Sequence, residues 1–275
     1  MTEPLPSGAT VLAVANQKGG VGKTTTAINL GTALAEMGRQ VLVIDLDPQG
    51  NASTGLGLSA SGRKGTTYDV LIESKPLKGV LVASAVENLA VAPSTVDLSG
   101  ADAELMDAPG RARRLRNAIG SSDTSEIRRA FDYILIDCPP SLNLLTVNAM
   151  TAADAIIVPL QCEFFALEGL TQLLGTIKRI QQSLNPGLRI HGIALTMYDR
   201  RNNLSAQVAE DVRSNLGDLV YETLIPRNVR LSEAPSHAMP ALVYDPSCAG
   251  SEAYRTLARE VMTRDGADAP VERTA

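Results

Sequence analysis

The residues with the clearest chemistry form one glycine- and lysine-rich run, Lys18-Gly19-Gly20-Val21-Gly22-Lys23-Thr24-Thr25. In loops of this kind backbone N–H groups surround phosphates, a lysine reaches the β and γ oxygens, and a hydroxyl binds Mg²⁺. Gly22, Lys23 and Thr24 match the end of the pattern G-x-x-x-x-G-K-[ST], whereas its first glycine falls on Gln17. Phosphate binding requires one lysine, so Lys18 is a second one, and we expect it to have a separate role.

The residues around this run favour a phosphate loop over a tight turn, which would also explain the glycines. Val11–Ala15 is a short apolar run typical of a strand, and Thr25–Met37 has the composition of a helix that Gly38 ends. A strand, a glycine loop and a helix in this order point the unpaired N–H groups of the first helical turn at bound phosphate.

Three aspartates follow apolar strands elsewhere in the chain. Asp45 and Asp47 come after the run Val41–Ile44, and Asp137 comes after Tyr133–Ile136. Strand alternation places Asp45 and Asp47 on one side, near the loop. Beside a phosphate loop, an aspartate that ends a strand holds Mg²⁺ directly or through water, and a second acid positions the attacking water. Alone, each aspartate could instead cap the next turn.

Apolar runs alternate with helical segments through the chain and predict further strands at Val41–Ile44, Leu89–Ala92, Tyr133–Ile136, Ala155–Leu160, Ile190–Thr196 and Tyr221–Ile225. This pattern predicts an α/β fold, a mostly parallel twisted sheet with helices on both faces. The polar residues Asn16, Asp45, Asp137 and Thr196 then fall at the carboxyl ends of strands, where such folds bind ligands. The segment 52–120 is expected to hold helical insertions.

Composition narrows the class of protein. The chain has 275 residues, a net charge of −5 and three cysteines, at positions 138, 162 and 248. An odd number of widely spaced cysteines argues against a disulfide framework or zinc cage, so we expect buried thiols in a reducing compartment. No apolar stretch of membrane-spanning length and no secretion signal are recognised, so we expect a cytoplasmic protein. Residues 10–263 are predicted to form a single domain between flexible tails, 1–9 and 264–275.

Four motifs, in order, resemble those of the ParA/Soj chromosome-partitioning ATPases, which carry a deviant Walker A phosphate loop. The similarity runs from about residue 10 to about residue 262 and rests on Ala15–Thr26, on Asp45-Leu46-Asp47-Pro48-Gln49-Gly50-Asn51, on Asp137-Cys138-Pro139-Pro140-Ser141 and on Pro226–Ser236. It implies a P-loop NTPase-like fold and a homodimer with ATP and Mg²⁺ between the subunits. It further implies nonspecific binding of duplex DNA at the nucleoid, and hydrolysis stimulated by a ParB/Spo0J-like partner.

The resemblance also implies roles for individual residues. Lys18 would cross to the phosphates of the partner subunit, whereas Lys23 would bind those of its own. Asp47 would position the hydrolytic water. The metal would be held by Thr24 and Asp137, with Asp45 close to it. Contacts to the nucleotide would come from Lys18, Gly19, Gly20, Val21, Gly22, Lys23, Thr24 and Thr25, and from an adenine-contacting loop of Pro226, Arg227 and Asn228, with Met197 beside it.

DNA binding has weaker support in the sequence. The positions that match the family's basic residues are Arg201 and Arg230, and a single surface arginine is often only solvated. The run Arg111–Arg116 is denser in charge, but a solvated helix face explains it equally well. Tryptophan is absent and phenylalanine occurs three times. Base stacking is therefore not expected, and contacts should be made to phosphate.

Three other functions share parts of this pattern. A membrane-positioning ATPase of the MinD type would end in a basic amphipathic helix, whereas residues 263–270 are polar and contain Gly and Pro. An electron-transfer ATPase like the nitrogenase iron protein would use Cys138 and Cys162 to hold a cluster. A non-hydrolysing adaptor is disfavoured because Lys23, Thr24 and both catalytic aspartates are present. No N-terminal winged-helix extension is expected.

Overall fold

The structure is a computed structural model that describes residues 8–120, 125–164 and 166–267. The strands are β1 (Thr10–Val14), β2 (Val41–Asp45), β3 (Val82–Ala83), β4 (Leu89–Ala92), β5 (Tyr133–Asp137), β6 (Ala155–Gln161), β7 (Arg189–Tyr198) and β8 (Val220–Pro226). The α-helices are α1 (Lys23–Glu36), α2 (Asn51–Gly55), α3 (Thr67–Leu71), α4 (Ala101–Glu104), α5 (Arg114–Ile119), α6 (Glu126–Ala130), α7 (Leu144–Ala152), α8 (Ala166–Ser183), α9 (Asn203–Leu216), α10 (Val229–Glu233), α11 (Ala241–Tyr244) and α12 (Ala249–Arg264).

In the described residues the strands form one sheet in the order β3-β4-β2-β5-β1-β6-β7-β8. Neighbouring strands are parallel throughout, except that β3 pairs with β4 antiparallel. Because the central strands are covered on both faces, their sequences are nearly continuous apolar runs. The predicted α/β fold with a mostly parallel sheet is confirmed.

Alternate residues of each strand point to opposite faces of the sheet and contribute to two apolar layers, one on each face. Val11 and Ala13 pack on the side of α5, α7, α8 and α9, whereas Leu12 packs on the opposite side with α1 and α12. On that second side Leu30 and Tyr254 are fully buried. Helices therefore pack against both faces of the sheet, and the loops at its carboxyl edge are attached to a well-packed core.

The predicted strands differ from the observed ones by a few residues at their ends, and Leu89–Ala92 is reproduced without change. The helix expected from Thr25 begins at Lys23, and helices are present in the segment 52–120 as predicted. β3 was not predicted from the sequence, because a strand of two residues is too short to show the alternation of apolar and polar residues.

The segment expected to begin the C-terminal tail is packed where the structure describes it. Arg264 ends α12 and donates hydrogen bonds to the carbonyl oxygens of His191 (3.0 Å) and Val220 (3.0 Å). Ala267 is buried, and its carbonyl oxygen accepts from Arg39. Residues 264–267 thus belong to the folded unit instead. Ala9, from the expected N-terminal tail 1–9, is also buried, and its N–H donates to the carbonyl oxygen of Arg128 at 2.8 Å. Residues 1–7 and 268–275 of the expected tails lie outside the described residues.

Candidate functional site

The glycine-rich loop lies between the end of β1 and the start of α1. Gly20 has φ 73° and Gly22 has φ 89°, both in the left-handed region that residues with a Cβ atom rarely adopt. Gly22 is also the N-cap of α1, so the loop turns directly into the helix. The first N–H groups of α1 consequently face the concave side of the loop, as anion binding requires.

Two side chains from neighbouring strand ends fix the loop in place. The hydroxyl of Thr196, on β7, donates to the carbonyl oxygen of Val21 at 2.9 Å. The amide of Asn16 donates to the carbonyl oxygen of Pro159, on β6, at 2.7 Å, and its oxygen accepts from the backbone N–H of Lys18 at 3.1 Å. The loop is therefore tied to the rigid sheet on the β6 and β7 side.

Lys23 points into the loop. Its side chain is buried, and its Nζ donates to the carbonyl oxygen of Lys18 at 2.9 Å. Burial lowers the pKa of Lys23, whereas the nearby Asp137 carboxylate is the strongest influence that raises it. The ammonium faces a cavity of 370 Å³ lined by Gly19, Gly20, Gly22, Lys23, Thr24, Thr25, Asp47, Gln49, Asn51, Pro140 and Met197.

Asp45 and Asp137 are neighbours across the paired strands β2 and β5. Asp45 is fully buried, and its Oδ2 accepts hydrogen bonds from the backbone N–H (2.8 Å) and the hydroxyl (2.6 Å) of Ser53. Its Oδ1 accepts from the N–H of Asp47 at 3.1 Å. Burial raises the pKa of Asp45 to about 6, although the bonds from Ser53 oppose that shift. Asp45 thus orients the loop that carries Asp47.

Asp137 differs from Asp45, because neither of its buried carboxylate oxygens accepts a hydrogen bond of good geometry in the described chain, although the Thr24 hydroxyl lies close to it. Burial, and then the charge of Asp45, raise the pKa of Asp137 well above its usual value, while the Thr24 hydroxyl and the Lys23 ammonium oppose this. A buried polar group without a partner is unfavourable. Two free carboxylate oxygens near a hydroxyl and a phosphate loop suit Mg²⁺, which prefers oxygen ligands.

No cluster of three or more His, Cys, Asp or Glu residues that could hold a metal ion by itself is found in the described parts of the chain. This agrees with the usual binding of Mg²⁺, which takes one or two protein ligands and completes its octahedron with phosphate and water. The residues present therefore fit a magnesium ion that arrives with a phosphate ligand.

A second cavity of 350 Å³ continues from the first, because both are lined by Gly22, Thr25 and Met197. Its wall also contains Thr196, Ile225, Pro226, Arg227, Asn228, Leu231, Ser232, Pro235 and Tyr254. The two cavities together are called the cleft below. The structure thus brings the predicted adenine-contacting residues and Met197, which has φ 52°, to one continuous cleft with the phosphate loop.

Lys18 does not line the cleft within the described residues, and its Nζ forms an ion pair with Oε2 of Glu163 at 2.9 Å. The Lys18 side chain keeps 44% of its surface exposed, whereas Lys23 as a whole residue keeps 6%. Within the described residues that line the phosphate end of the cleft, Lys23 is present and Lys18 is not. The two lysines of one loop therefore face different surroundings.

The arginines expected to bind DNA lie outside the cleft on the surface. Arg201 is 89% exposed and pairs with Asp199 through Nη2–Oδ2 at 3.1 Å. Arg230 pairs with Glu233 at 2.9 Å and with Asp245 at 3.3 Å. Both positive charges are thus offset by carboxylates of the same chain.

The run Arg111–Arg116 is engaged with its own surface. Arg111 donates to the carbonyl oxygen of Met106, and Arg114 donates to the hydroxyl of Ser74 at 2.7 Å. Three of its arginines make such contacts, the third being Arg116, whose Nη1 lies 3.4 Å from the carbonyl oxygen of Leu184. These bonds favour a structural role for the cluster.

The cysteines behave as structural thiols. Cys138 and Cys162 are buried, and Cys248 is the N-cap of α12. Burial raises the pKa of Cys162 to about 11. Sulfur atoms inside the fold are poorly placed to hold an iron–sulfur cluster between two subunits, so the expectation of buried thiols is confirmed for Cys138 and Cys162.

Comparison with known proteins places this geometry in a family. The family profile described as an AAA domain matches residues 9–190. The chromosome partitioning protein ParA of Caulobacter vibrioides (strain NA1000 / CB15N) is 61% identical over 255 residues, which cover 93% of this chain and 94% of the relative. The chain belongs to the ParA/Soj family of chromosome-partitioning ATPases. A second family member, the chromosome-partitioning ATPase Soj of Treponema pallidum, is 51% identical over 255 residues, 93% of this chain and 98% of the relative.

Solved structures agree on the ParA/Soj fold. A Mycobacterium smegmatis protein described as cobyrinic acid a,c-diamide synthase with bound ADP and magnesium has a TM-score of 0.80 and 36% identity. The match covers 97% of this chain and 99% of that one. The higher identity to the partitioning proteins decides the family. Within the described residues, no helix combines the length and apolar character needed to cross a membrane.

Several residues that shape the site were not predicted from the sequence. Gln49, Asn51 and Pro140 line the phosphate end of the cleft, although they lie inside the recognised motifs. Glu163, the partner of Lys18, follows the end of β6. Its signal was the polar sequence Gln161-Cys162-Glu163 at a strand's carboxyl end, the same position that pointed to the aspartates.

Proposed function

We propose that this chain is a Mg²⁺-dependent ATPase that forms a homodimer when it binds ATP, and that the dimer holds duplex DNA without sequence preference. Hydrolysis, stimulated by a ParB/Spo0J-like partner, releases the DNA, and the cycle segregates a chromosome or plasmid. The observation that carries this proposal is the different placement of the two loop lysines. Lys23 faces the cleft of its own chain, whereas Lys18 projects from the loop to the surface.

The cleft suits ATP in both shape and chemistry. Its phosphate end would be contacted by Gly19, Gly20, Val21, Gly22, Lys23, Thr24 and Thr25, and its more apolar end by Met197, Pro226, Arg227 and Asn228. Thr24 and Asp137 would hold Mg²⁺, with Asp45 beside them. When bound, the metal would neutralise charge on the β and γ oxygens. The Mycobacterium smegmatis neighbour is described with bound ADP and magnesium, which supports these ligands.

Asp47 is the group we assign to the attacking water. It lines the phosphate end of the cleft, and its Oδ1 accepts the backbone N–H of Gln49 at 2.9 Å. That hydrogen bond fixes the carboxylate and leaves Oδ2 available within the described residues. A fixed carboxylate next to the γ-phosphate can orient a water molecule for in-line attack, which is the role that positioning residues fill in phosphoryl transfer.

Lys18 would complete the site of a second subunit. Negative charge that develops on the γ-phosphoryl oxygens is stabilised by a cation that arrives when the competent complex forms. An exposed lysine can reach across a two-fold interface, whereas the buried Lys23 cannot leave its own loop. Dimerisation would therefore be a condition for hydrolysis, and the rate of ATP hydrolysis would set the lifetime of the dimer.

Residues 10–263, together with the packed residues 264–267, would act as one catalytic unit in the cytoplasm, associated with the nucleoid. Pairing two basic surfaces in a dimer raises the affinity for DNA through effective concentration. The MinD-type alternative would need an exposed amphipathic face at the C-terminus. Instead, α12 uses its apolar residues in the core, where Tyr254, Leu257 and Val261 are fully buried.

Steady-state ATP hydrolysis tests this proposal. The rate should rise when nonspecific duplex DNA and the N-terminal peptide of the ParB-like partner are both added, and light scattering should show a dimer with ATP but not with ADP. Lys23→Ala serves as the control that cannot bind the phosphates. A rate that is indifferent to both additions, or a monomer with ATP, would contradict the proposal, and co-sedimentation with liposomes would favour the membrane alternative.

A further inference from the structure

The turn that carries Asp47 leads from β2 into α2. The backbone N–H of Gly50 donates to the carbonyl oxygen of Asp47 at 2.9 Å, and Gly50 is the N-cap of α2 with φ 63°. The side chains of Asp47 and Gln49, and Asn51 at the start of α2, line the phosphate end of the cleft. The position of this Asp47–Gly50 turn therefore decides where the Asp47 carboxylate lies in the cleft.

The buried side of α2 is fixed by Ser53. The Ser53 hydroxyl donates to Oδ2 of Asp45 at 2.6 Å and accepts the backbone N–H of Ser94 at 3.1 Å. Both serines are fully buried, and Ser94 lies just after β4. These bonds tie α2 to the ends of β2 and β4. They leave the other side of α2, where Thr54 is exposed, to be held by another residue.

Arg63 binds this exposed side of α2. Its Nη2 donates to the hydroxyl of Thr54 at 2.6 Å, and that hydroxyl donates to the carbonyl oxygen of Gly50 at 3.0 Å. Its Nη1 donates to the carbonyl oxygen of Ser94 at 2.9 Å. Nη2 and Nε donate to the carbonyl oxygen of Leu58 at 2.9 Å and 3.3 Å. One guanidinium thus joins α2, the loop after it and the end of β4.

The guanidinium also packs closely against the Asp47–Gly50 turn. A Cβ atom added at Gly50 would clash with Nη1 of Arg63 and would lie 3.0 Å from the carbonyl oxygen of Ser94. Within the described residues, Arg63 lines neither cavity of the cleft. Any influence of Arg63 on the cleft must therefore pass through the turn and α2.

We propose that Arg63 is a positioning residue for ATP hydrolysis, which holds the Asp47–Gly50 turn so that the Asp47 carboxylate keeps its place in the cleft. The inference rests on the proposed function, since it assumes that Asp47 orients the attacking water. Arg63 acts through the Thr54 hydroxyl, which passes its contact on to Gly50. Such an indirect contact matters because a displacement of about 1 Å in a reacting geometry can lower a rate about 10²-fold.

Arg63→Ala should slow hydrolysis and spare nucleotide binding. The single-turnover rate constant of stimulated hydrolysis should fall by about 10- to 100-fold. The affinity for a fluorescent ATP analogue should be nearly unchanged, because Asn16 and Thr196 tie the glycine loop to β6 and β7 without Arg63. Arg63→Lys keeps the charge but lacks the planar fork of donors, so it should restore little of the rate.

Thr54 offers a matched pair of variants, because its hydroxyl makes both contacts. Thr54→Val removes the hydroxyl at nearly constant shape and should lower the rate as Arg63→Ala does. Thr54→Ser keeps the hydroxyl and should hydrolyse ATP near the wild-type rate. The double variant Arg63→Ala/Thr54→Val should lose about as much as the more impaired single variant, because residues that share one contact are not additive.

The experiment combines three measurements on the full chain. Single-turnover hydrolysis is followed with duplex DNA and the N-terminal peptide of the ParB-like partner, and each rate is divided by the concentration of sites that bind the ATP analogue. That division removes the effect of misfolded protein. The affinity for the analogue is the second measurement. Hydrogen exchange of the nucleotide-free protein is the third, and the amides of Gln49, Gly50 and Thr54 should exchange faster in Arg63→Ala.

Lys64→Ala is the matched control, because it removes the next positive charge along the chain at an exposed position. It should match the wild type in all three measurements. The inference alone is overturned if Arg63→Ala hydrolyses ATP as fast as Lys64→Ala, or loses affinity as much as rate. Unchanged exchange in the turn of Arg63→Ala, or additive losses in the double variant, would also overturn it.

Asp47→Ala separates this failure from a failure of the proposed function. Hydrolysis by Asp47→Ala at the wild-type rate would refute the role of Asp47 in the proposed function, and the inference with it. If Asp47→Ala is slow and Arg63→Ala is not, the proposed function stands and only the role of Arg63 is wrong.

Discussion

The Nζ of Lys18 lies 2.9 Å from Oε2 of Glu163 in the same chain, so the second lysine of the loop is bound beside its own cleft. The other oxygen of Glu163 accepts from the amide of Gln161, which orients the carboxylate toward the loop. Both partners of the ion pair are nearly half exposed. Exposed pairs of this kind contribute about 0.2–1 kcal/mol, so this one can be exchanged for a phosphate of another subunit.

Glu163→Gln should therefore favour the ATP-bound dimer. Lys18 must give up this ion pair to leave its own chain, and a dimer contains two such pairs, so their loss corresponds to about 0.4–2 kcal/mol and to a dimer dissociation constant about 2- to 30-fold lower. Light scattering across a concentration series in ATP measures this. Glu87→Gln makes the same change of charge at an exposed position before β4 and should have no effect. A weaker dimer in Glu163→Gln would show that Glu163 supports the interface instead.

Lys18→Ala should retain nucleotide binding and lose most of the stimulated ATP hydrolysis. Lys23 and the loop backbone remain, so the affinity for a fluorescent ATP analogue should change by only a few-fold. Partner-stimulated hydrolysis should fall by about 10²–10³, the usual cost of losing one group that stabilises transition-state charge. Single-turnover hydrolysis and nucleotide binding are measured on the same preparation. Stimulated hydrolysis at the wild-type rate would refute the assignment of Lys18 to the partner's site.

Asp47→Ala should trap the ATP-bound dimer. The carboxylate lines the cleft without being the bound partner of Lys23, so its loss removes the group that orients water and leaves the phosphate contacts intact. We expect a dimer that persists in ATP for many wild-type turnover times, measured by light scattering and by retention of labelled ATP on a desalting column. Rapid loss of ATP from this variant would argue against the assigned role.

The parts of the site that the sequence predicted are those set by short stretches of chain. The order of strand, glycine loop and helix is local, and the aspartates are located by the strands that they end, so Asp45 and Asp137 were placed correctly at one edge of the sheet. Ion pairs between distant or flexible side chains follow no such pattern. Glu163 is 145 residues from Lys18, and nothing in the spacing of the two predicts their contact. The ion pair between Arg201 and Asp199 is local, but the sequence does not show whether Asp199 pairs with Arg201 or with its neighbour Arg200.

Asp265 joins the last described residues to the sheet, and its substitution tests whether that segment belongs to the folded unit. Its Oδ1 lies 3.1 Å from Nε2 of His191, whose Nδ1 lies 2.6 Å from the hydroxyl of Tyr221, and the side chains of both His191 and Asp265 are buried. Asp265→Ala would leave the imidazole without a partner for Nε2.

A buried polar group left unsatisfied costs about 1–3 kcal/mol. We therefore expect Asp265→Ala to lower the free energy of unfolding by that amount in urea titrations followed by circular dichroism, while Asp107→Ala, at an exposed position after α4, changes it little. Because the cleft lies at the opposite ends of β7 and β8, nucleotide affinity should be retained in the folded fraction. An unchanged free energy of unfolding would mean that residues 264–267 act as a tail, as the sequence alone had indicated.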